Sequence, residues 1–234
     1  MLNSPIPPAP SFSFSNVKME HIEEIRLIDV VPRPLASDTV KSGVWHSEVS
    51  FRRGQIYRVD AVSGAGKSSL CAFLMGVRTD YLGHILYNNM DIARFGITDW
   101  CRMRVSNLAY LPQELGLFPA LTALENVRLK NDLTHYMTET QISTLFERLE
   151  IAAHINKPVS RLSVGQKQRV ALIRTLCQPF DFLILDEPVS HLDARTNDLC
   201  AAVVADALMH TGGGLISTSV GNPININPHK VLQL

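Results

Sequence analysis

Apolar residues along the chain fall into short, nearly unbroken runs separated by longer stretches of helical spacing. Ile25 to Val31, Gly43 to Phe51 and Ile56 to Ala61 read as short strands, with Arg53-Gly54 turning between the last two, and they predict an antiparallel sheet. A helix is expected from Lys67 to about Met75 with Gly76 as its stop, then a strand at Ile85-Leu86-Tyr87 and a turn at Asn88-Asn89. Leu108 to Leu111 makes another strand, and from there to about Pro158 the spacing is helical. It is clearest from Thr138 to Leu149, where Thr138 and Gln141 form a capping box and Ile142, Leu145, Phe146 and Leu149 make an i, i+3, i+4, i+7 stripe read as core packing.

A second α/β stretch follows. A helix runs from Val164 to Cys177 and is ended by Pro179, a strand spans Phe182 to Leu185, a helix lies near Leu192 to His210 closed by Gly212-Gly213-Gly214, and a strand spans Leu215 to Thr218. Strands apolar throughout, alternating with helices, predict a parallel sheet covered on both faces. No internal repeat is visible.

Composition narrows the class. With 234 residues and 46% hydrophobic content the chain can bury a large core, and one α/β domain with a subdomain is expected over residues 21–234, after a Pro- and Ser-rich arm over 1–20 that includes Phe12 and Phe14. The formal net charge is zero, and Lys and Arg are scattered, so no nucleic-acid partner is expected. The longest apolar stretches, Leu70 to Val77, Phe180 to Leu185 and Leu199 to Met209, fall short of the roughly 18 to 20 residues that cross a bilayer, and the N-terminus lacks a basic segment leading into an apolar one. A soluble, cytoplasmic chain is expected. Cys71, Cys101, Cys177 and Cys200 are widely spaced and read as buried, reduced thiols.

Two motifs carry chemistry. Ser63-Gly64-Ala65-Gly66-Lys67-Ser68-Ser69 stands between a predicted strand and a predicted helix. Its glycines let successive backbone N–H groups face phosphate oxygens, Lys67 supplies a compact positive charge, and Ser68 can ligate Mg²⁺. This predicts nucleoside triphosphate binding and leaves kinase, GTPase and transporter ATPase open. Phe182-Leu183-Ile184-Leu185-Asp186-Glu187 is a buried strand ending in two carboxylates, which suits Asp186 to a metal and Glu187 to polarising a water for in-line attack on a γ-phosphate. The plainer reading is a strand that ends in surface acids.

Between these motifs lies Leu162-Ser163-Val164-Gly165-Gln166, and here the chain resembles the nucleotide-binding subunit of an ATP-binding cassette (ABC) transporter. The pentapeptide matches the family's L-S-G-G-Q signature except at Val164, Gln113 in Tyr110-Leu111-Pro112-Gln113 matches its Q-loop, and Ser190-His191-Leu192-Asp193 matches its D-loop. The resemblance covers residues 22–234. Asp91 to Gln113 and Leu117 to Val127 look similar to the group serving lipoprotein release, macrolide export and cell division, although polar amino-acid importers share much of this wording.

The resemblance implies an α/β P-loop NTPase fold: a RecA-like core with a parallel sheet, a preceding antiparallel β sheet, and a helical subdomain inserted over about 114–165. It also implies a head-to-tail homodimer or ABC heterodimer, with ATP held between the P-loop of one copy and Ser163, Gly165 and Gln166 of the other. Gln113 would join Ser68 and Asp186 at Mg²⁺ and, with Ser219, attend the attacking water, while Glu187 acts as general base. An integral membrane permease subunit would be the partner, on the cytoplasmic face of the inner (plasma) membrane. Leu115-Gly116-Leu117-Phe118-Pro119 is a candidate part of that grip, or ordinary packing within the helical subdomain.

Departures from the family pattern cluster near the nucleotide. Ala61 stands at the first P-loop glycine, where a positive φ would be poorly met. Val164 brings a β-branched side chain to the trans phosphate site. Ser219 occupies the place of the switch histidine and offers a hydrogen bond without a titratable charge; His210 and His229 are the nearby histidines, and their positions fit poorly. No aromatic residue lies between Phe14 and Trp45, and Trp45 reads as core in a strand, so adenine lacks a stacking partner worth about 1 to 3 kcal/mol in nucleic-acid cases. These departures keep open a weakly hydrolysing or regulatory ATP-binding partner. A soluble ABC ATPase working on DNA or ribosomes is a further alternative, opposed by the lack of a coiled coil, zinc module or second cassette.

Overall fold

In β1 (Glu24–Pro32), Ile25 and Leu27 alternate inward before Val30 and Val31, and this apolar set selects its partners. The computed structural model describes residues 20–37 and 42–234; the expected arm, residue 20 apart, lies outside the described residues. On one side β1 pairs antiparallel with β2 (Glu48–Arg52), setting Ile25 opposite Phe51 and Leu27 opposite Val49. Across its other edge lies β4 (Tyr81–Tyr87), which sets Leu27 opposite Ile85 and leads through the Asn88-Asn89 turn to β5 (Met90–Asp91). The register slips between Ile28 and Val31, where Asp29 has φ 51°. There the backbones approach so closely that a Cβ on Gly83 would lie 2.3 Å from the Asp29 carbonyl oxygen, so glycine is required.

The second sheet is parallel throughout, in the order β6 (Leu108–Leu111), β7 (Phe182–Asp186), β8 (Gly214–Ser219), β3 (Ile56–Asp60), β9 (Lys230–Gln233). Strands β7 and β8 are buried along their whole length, as expected of a sheet with both faces covered. Because the strands run the same way, the chain leaves β3, β7 and β8 at one edge, which is where α/β sheets place ligands.

One core cluster packs the antiparallel sheet with α1 (Lys67–Leu74) and includes Phe51, Phe73 and Tyr87. The other lies among α3 (Ala123–Asn131), α4 (Glu139–Arg148), α5 (Val164–Leu176) and α6 (Ala194–Thr211). The capping box at the start of α4 forms as the sequence predicts, with Thr138 N donating to Gln141 Oε1 at 2.8 Å, and Ile142, Leu145, Phe146 and Leu149 are buried.

Several elements differ from expectation. Gly43 to Ser47 forms turns, so the second strand starts only at Glu48 and Trp45 is in a turn. The α2 helix (Ile97–Ser106) was not foreseen; it starts after Gly96, whose N–H donates to Asp99 Oδ2 at 2.9 Å. Between Leu111 and Pro158 the chain forms α3 and α4 with irregular segments between them, not continuous helix. Helix α6 begins at Ala194, after Asp193 caps it through a bond from Thr196 N at 2.8 Å; that bond holds the Asp193 carboxyl below its ordinary range. Cys71, Cys177 and Cys200 are buried, but Cys101 is exposed, on the outer face of α2. Among the described residues no helix is long and apolar enough to cross a membrane.

Asp181, just ahead of β7, joins the two sheets. Its carboxylate, 3% exposed, accepts from Ile22 N at 2.8 Å, Asn107 Nδ2 at 2.6 Å and His21 Nδ1 at 2.9 Å, with Arg53 Nε 3.5 Å away. Asp181→Ala leaves the buried Ile22 N–H without its acceptor and removes the Asn107, His21 and Arg53 contacts around it, and is expected to lower stability by about 3 kcal/mol, a fall of roughly 6 to 12 °C in melting temperature by calorimetry. A fall under ~1 °C would show that the cluster is not a joint.

Candidate functional site

The phosphate-cradling loop lies between β3 and α1, and its left-handed positions fall on Gly64, φ 85°, and Gly66, φ 98°. Ala61 needs no such conformation. It continues the sheet, its N–H donating to Ser219 O at 3.2 Å, so the missing first glycine brings no backbone strain. Gly66 caps α1 without a side-chain acceptor, which leaves the first N–H groups of the helix open to an anion.

Trp45 sits under this loop. Its Nε1 donates to Ala65 O at 3.0 Å, and a Cβ built on Gly66 would come within 3.1 Å of its ring. It is core, as expected, but it works from a turn as a prop for the loop. Its burial at 2% exposure also rules it out as a surface for a base to stack on.

Lys67 is buried; its Nζ donates to Val62 O at 3.1 Å and lies 3.6 Å from Glu187 Oε1. Ser68 Oγ donates to Gln113 Oε1 at 3.3 Å. Ser63 is exposed on the loop, whereas Ser69 Oγ is turned toward Arg78, accepting from Nη1 at 2.8 Å. Two sequence-distant motifs therefore meet the loop: Glu187 at the lysine and Gln113 at the serine.

Asp186 ends β7 in full burial. Its Oδ1 accepts from Thr218 Oγ1 at 2.7 Å, while Oδ2 is buried with no hydrogen-bond partner among the described residues. An orphaned carboxylate oxygen together with Ser68 and Gln113 is a set of hard oxygen donors, which suits Mg²⁺. Among the described residues no group of three or more His, Cys, Asp or Glu could hold a metal. Glu187 adopts φ 51° and keeps its side chain 13% exposed, facing Lys67.

Ser219 is buried, and its Oγ has no hydrogen-bond partner among the described residues. Neither spare histidine serves in its place. His229 Nδ1 accepts from Ile56 N at 3.0 Å at the opposite end of β3, and His210 lies beside Tyr136 with ring centroids 6.4 Å apart.

The L-S-V-G-Q segment starts α5. Ser163 Oγ accepts from Gln166 N at 3.3 Å and Gln166 Oε1 accepts from Ser163 N at 3.0 Å, so capping uses a lone pair of the hydroxyl and leaves its O–H free to donate. Gln166 Nε2 reaches His154 Nε2 at 2.9 Å. Val164 is 54% exposed, and a Cβ on Gly165 would lie 3.1 Å from Leu192 Cδ2, so this helix start packs against Ser190 to Asp193. Among the described residues no hydrogen bond or ion pair joins Ser163, Gly165 or Gln166 to Ser63–Ser69 of the same chain. After Gln113, Arg174 holds the carbonyls of Leu115 and Gly116, each at 2.7 Å, and burial pushes its pKa down. Phe118, 55% exposed, joins Val77, Arg104 and Leu129 around a cavity of about 370 Å³.

The ABC transporter family model matches residues 46–190, more than half of the chain. The chain belongs to the ABC transporter family. A cytochrome c biogenesis ATP-binding export protein, CcmA, of Methylococcus capsulatus is 32% identical over 166 residues, 70% of this chain and 78% of that protein. The lipoprotein-releasing system ATP-binding protein LolD of Xylella fastidiosa is 31% identical, covering 64% of this chain and 63% of that one. An ABC transporter ATP-binding protein of Haemophilus influenzae is 41% identical over 56% of this chain. The chain spans 51%, 66% and 65% of the first three curated relatives it matches. In fold the cassette is similar to a dimeric ATP-binding cassette solved in a post-hydrolysis state with ADP and Pi, at TM-score 0.73 and 21% identity over 90% of this chain and 94% of that one.

Trp45→Phe keeps an aromatic side chain but removes the indole N–H, with its bond to Ala65, and part of the ring beneath Gly66. Nucleotide titration is expected to show about three- to tenfold weaker binding, and an unchanged affinity would remove Trp45 from the loop's support.

Proposed function

We propose that this cassette binds Mg·ATP, closes head to tail around it with a second cassette, and hydrolyses it to move a membrane-spanning permease. The observation that carries this reading is the meeting of Lys67 with Glu187 and of Ser68 with Gln113 at the edge where β7, β8 and β3 end. Loop N–H groups of Ser63 to Ser69, with Lys67, cradle the phosphates. Ser68, Gln113 and Asp186 are the residues that hold Mg²⁺, which when bound neutralises developing phosphate charge. Glu187 orients and polarises the attacking water, and Ser163, Gly165 and Gln166 of the second copy, with their capped helix start, close over the γ-phosphate. The free O–H of Ser163 and the lack of any bond between its motif and the loop in the same chain support this trans arrangement.

The permease docks at the cavity flanked by Phe118, Leu129 and Val77, beside the segment after Gln113 whose Leu115 and Gly116 carbonyls Arg174 holds. Such a partner places the cassette on the cytoplasmic face of the membrane. In the purified complex, Glu187→Gln is expected to lower ATP turnover at least a hundredfold while nucleotide binding persists. Unchanged turnover would reject Glu187 as the base.

A slower variant of the same chemistry is favoured by Ser219, buried and without a partner where an imidazole would be expected. Ser219→His is expected to raise turnover about tenfold or more. Turnover already fast in the wild type and lowered by histidine would exclude a weakened site.

A further inference from the structure

We infer that Thr218 is the positioning residue that sets both carboxylates of the site, fixing which oxygen of Asp186 meets the metal. Resting on the function proposed above, this role falls to a residue buried behind both acids. Thr218 lies opposite Asp186 in the pairing of β7 with β8 and is 1% exposed.

A hydroxyl carries one proton and two lone pairs, so its bonds here have only one possible direction. The carboxylate can only accept, so Thr218 Oγ1 gives its proton to Asp186 Oδ1 at 2.7 Å; the backbone can only donate, so Glu187 N–H goes to a Thr218 lone pair at 3.1 Å. The first bond stops rotation of the Asp186 carboxylate and leaves Oδ2 as its open, buried oxygen. The second holds Glu187 from behind. Glu187 has φ 51°, uncommon for a residue with a side chain, and its carbonyl is held in turn by Gln168 Nε2 at 3.2 Å. Backbone bonds on both sides of the residue keep that conformation and with it the approach of Glu187 to Lys67.

One hydroxyl thus links the metal-binding acid to the water-polarising acid. Valine has the shape of threonine and suits a buried strand, so Thr218→Val removes both bonds while keeping the volume. Serine keeps the hydroxyl.

The test is titration of the full chain with ATP, with and without Mg²⁺, beside melting temperatures in nucleotide-free buffer. Thr218→Val is expected to bind metal-free ATP within about twofold of wild type and to need about tenfold more Mg²⁺ for half-maximal tightening of binding. Thr218→Ser is expected to restore the Mg²⁺ requirement to within about threefold of wild type. If the valine variant does not fold, Thr218→Ala against Thr218→Ser makes the same comparison, since these differ by the hydroxyl alone. An unchanged Mg²⁺ requirement in a folded variant without the hydroxyl overturns the inference and leaves the ATPase reading intact. Loss of metal-free and Mg²⁺-dependent binding together, equal in the serine and valine variants, reduces Thr218 to a packing role and also overturns it. A wild-type chain that binds no nucleotide overturns the ATPase reading and this inference with it.

Discussion

Parallel pairing of β7, β8 and β3 is the constraint on which everything at the site depends. Strands β7 and β8 are buried along their whole length because both faces of the sheet are covered there, and the common direction of all three forces Asp186, Ser219 and the start of the glycine loop to one edge. The loop and the acidic pair are more than a hundred residues apart in the chain, yet Lys67 and Glu187 meet at 3.6 Å because β8 lies between their strands and bonds to both. A shift of β8 by one residue would swap Thr218 for a neighbour on the opposite face and break its bonds to both acids.

Much of the site was legible because its residues act through local geometry. Glycines at 64 and 66 announce positive φ, and the structure places it there. Thr138 with Gln141 is a capping box within one turn of helix, so sequence alone suffices, whereas the same box at Ser163 and Gln166 emerged only in the structure. The parallel core followed from runs of buried aliphatic residues in the same way.

What stayed hidden depends on contacts between distant segments. Trp45 resembled another apolar strand residue, and nothing near it in sequence says that its N–H meets Ala65. Thr218 looked like a β-branched strand former; the signal available was a run of hydroxyl residues, Ser217 to Ser219, in a strand otherwise apolar. Helix α2 escaped because it starts at a glycine and buries little beyond Asp99 and Met103. β9 buries only Leu232, too faint a pattern to mark an edge strand. Ala61 stands where the family carries a glycine, yet its backbone adopts no positive φ and simply continues the sheet.

The indole beneath the phosphate loop has an optical consequence. Trp45 is buried and hydrogen-bonded to the carbonyl of Ala65, and the chain's other tryptophan, Trp100, lies in α2 under the Arg104 guanidinium, 5.3 Å from the ring centroid. The two fluorophores therefore occupy unlike surroundings, and Trp45 touches the glycine loop proposed to hold phosphate. Nucleotide bound at that loop, as proposed, would lie against one indole alone, so its arrival would be reported by emission from the unlabelled polypeptide.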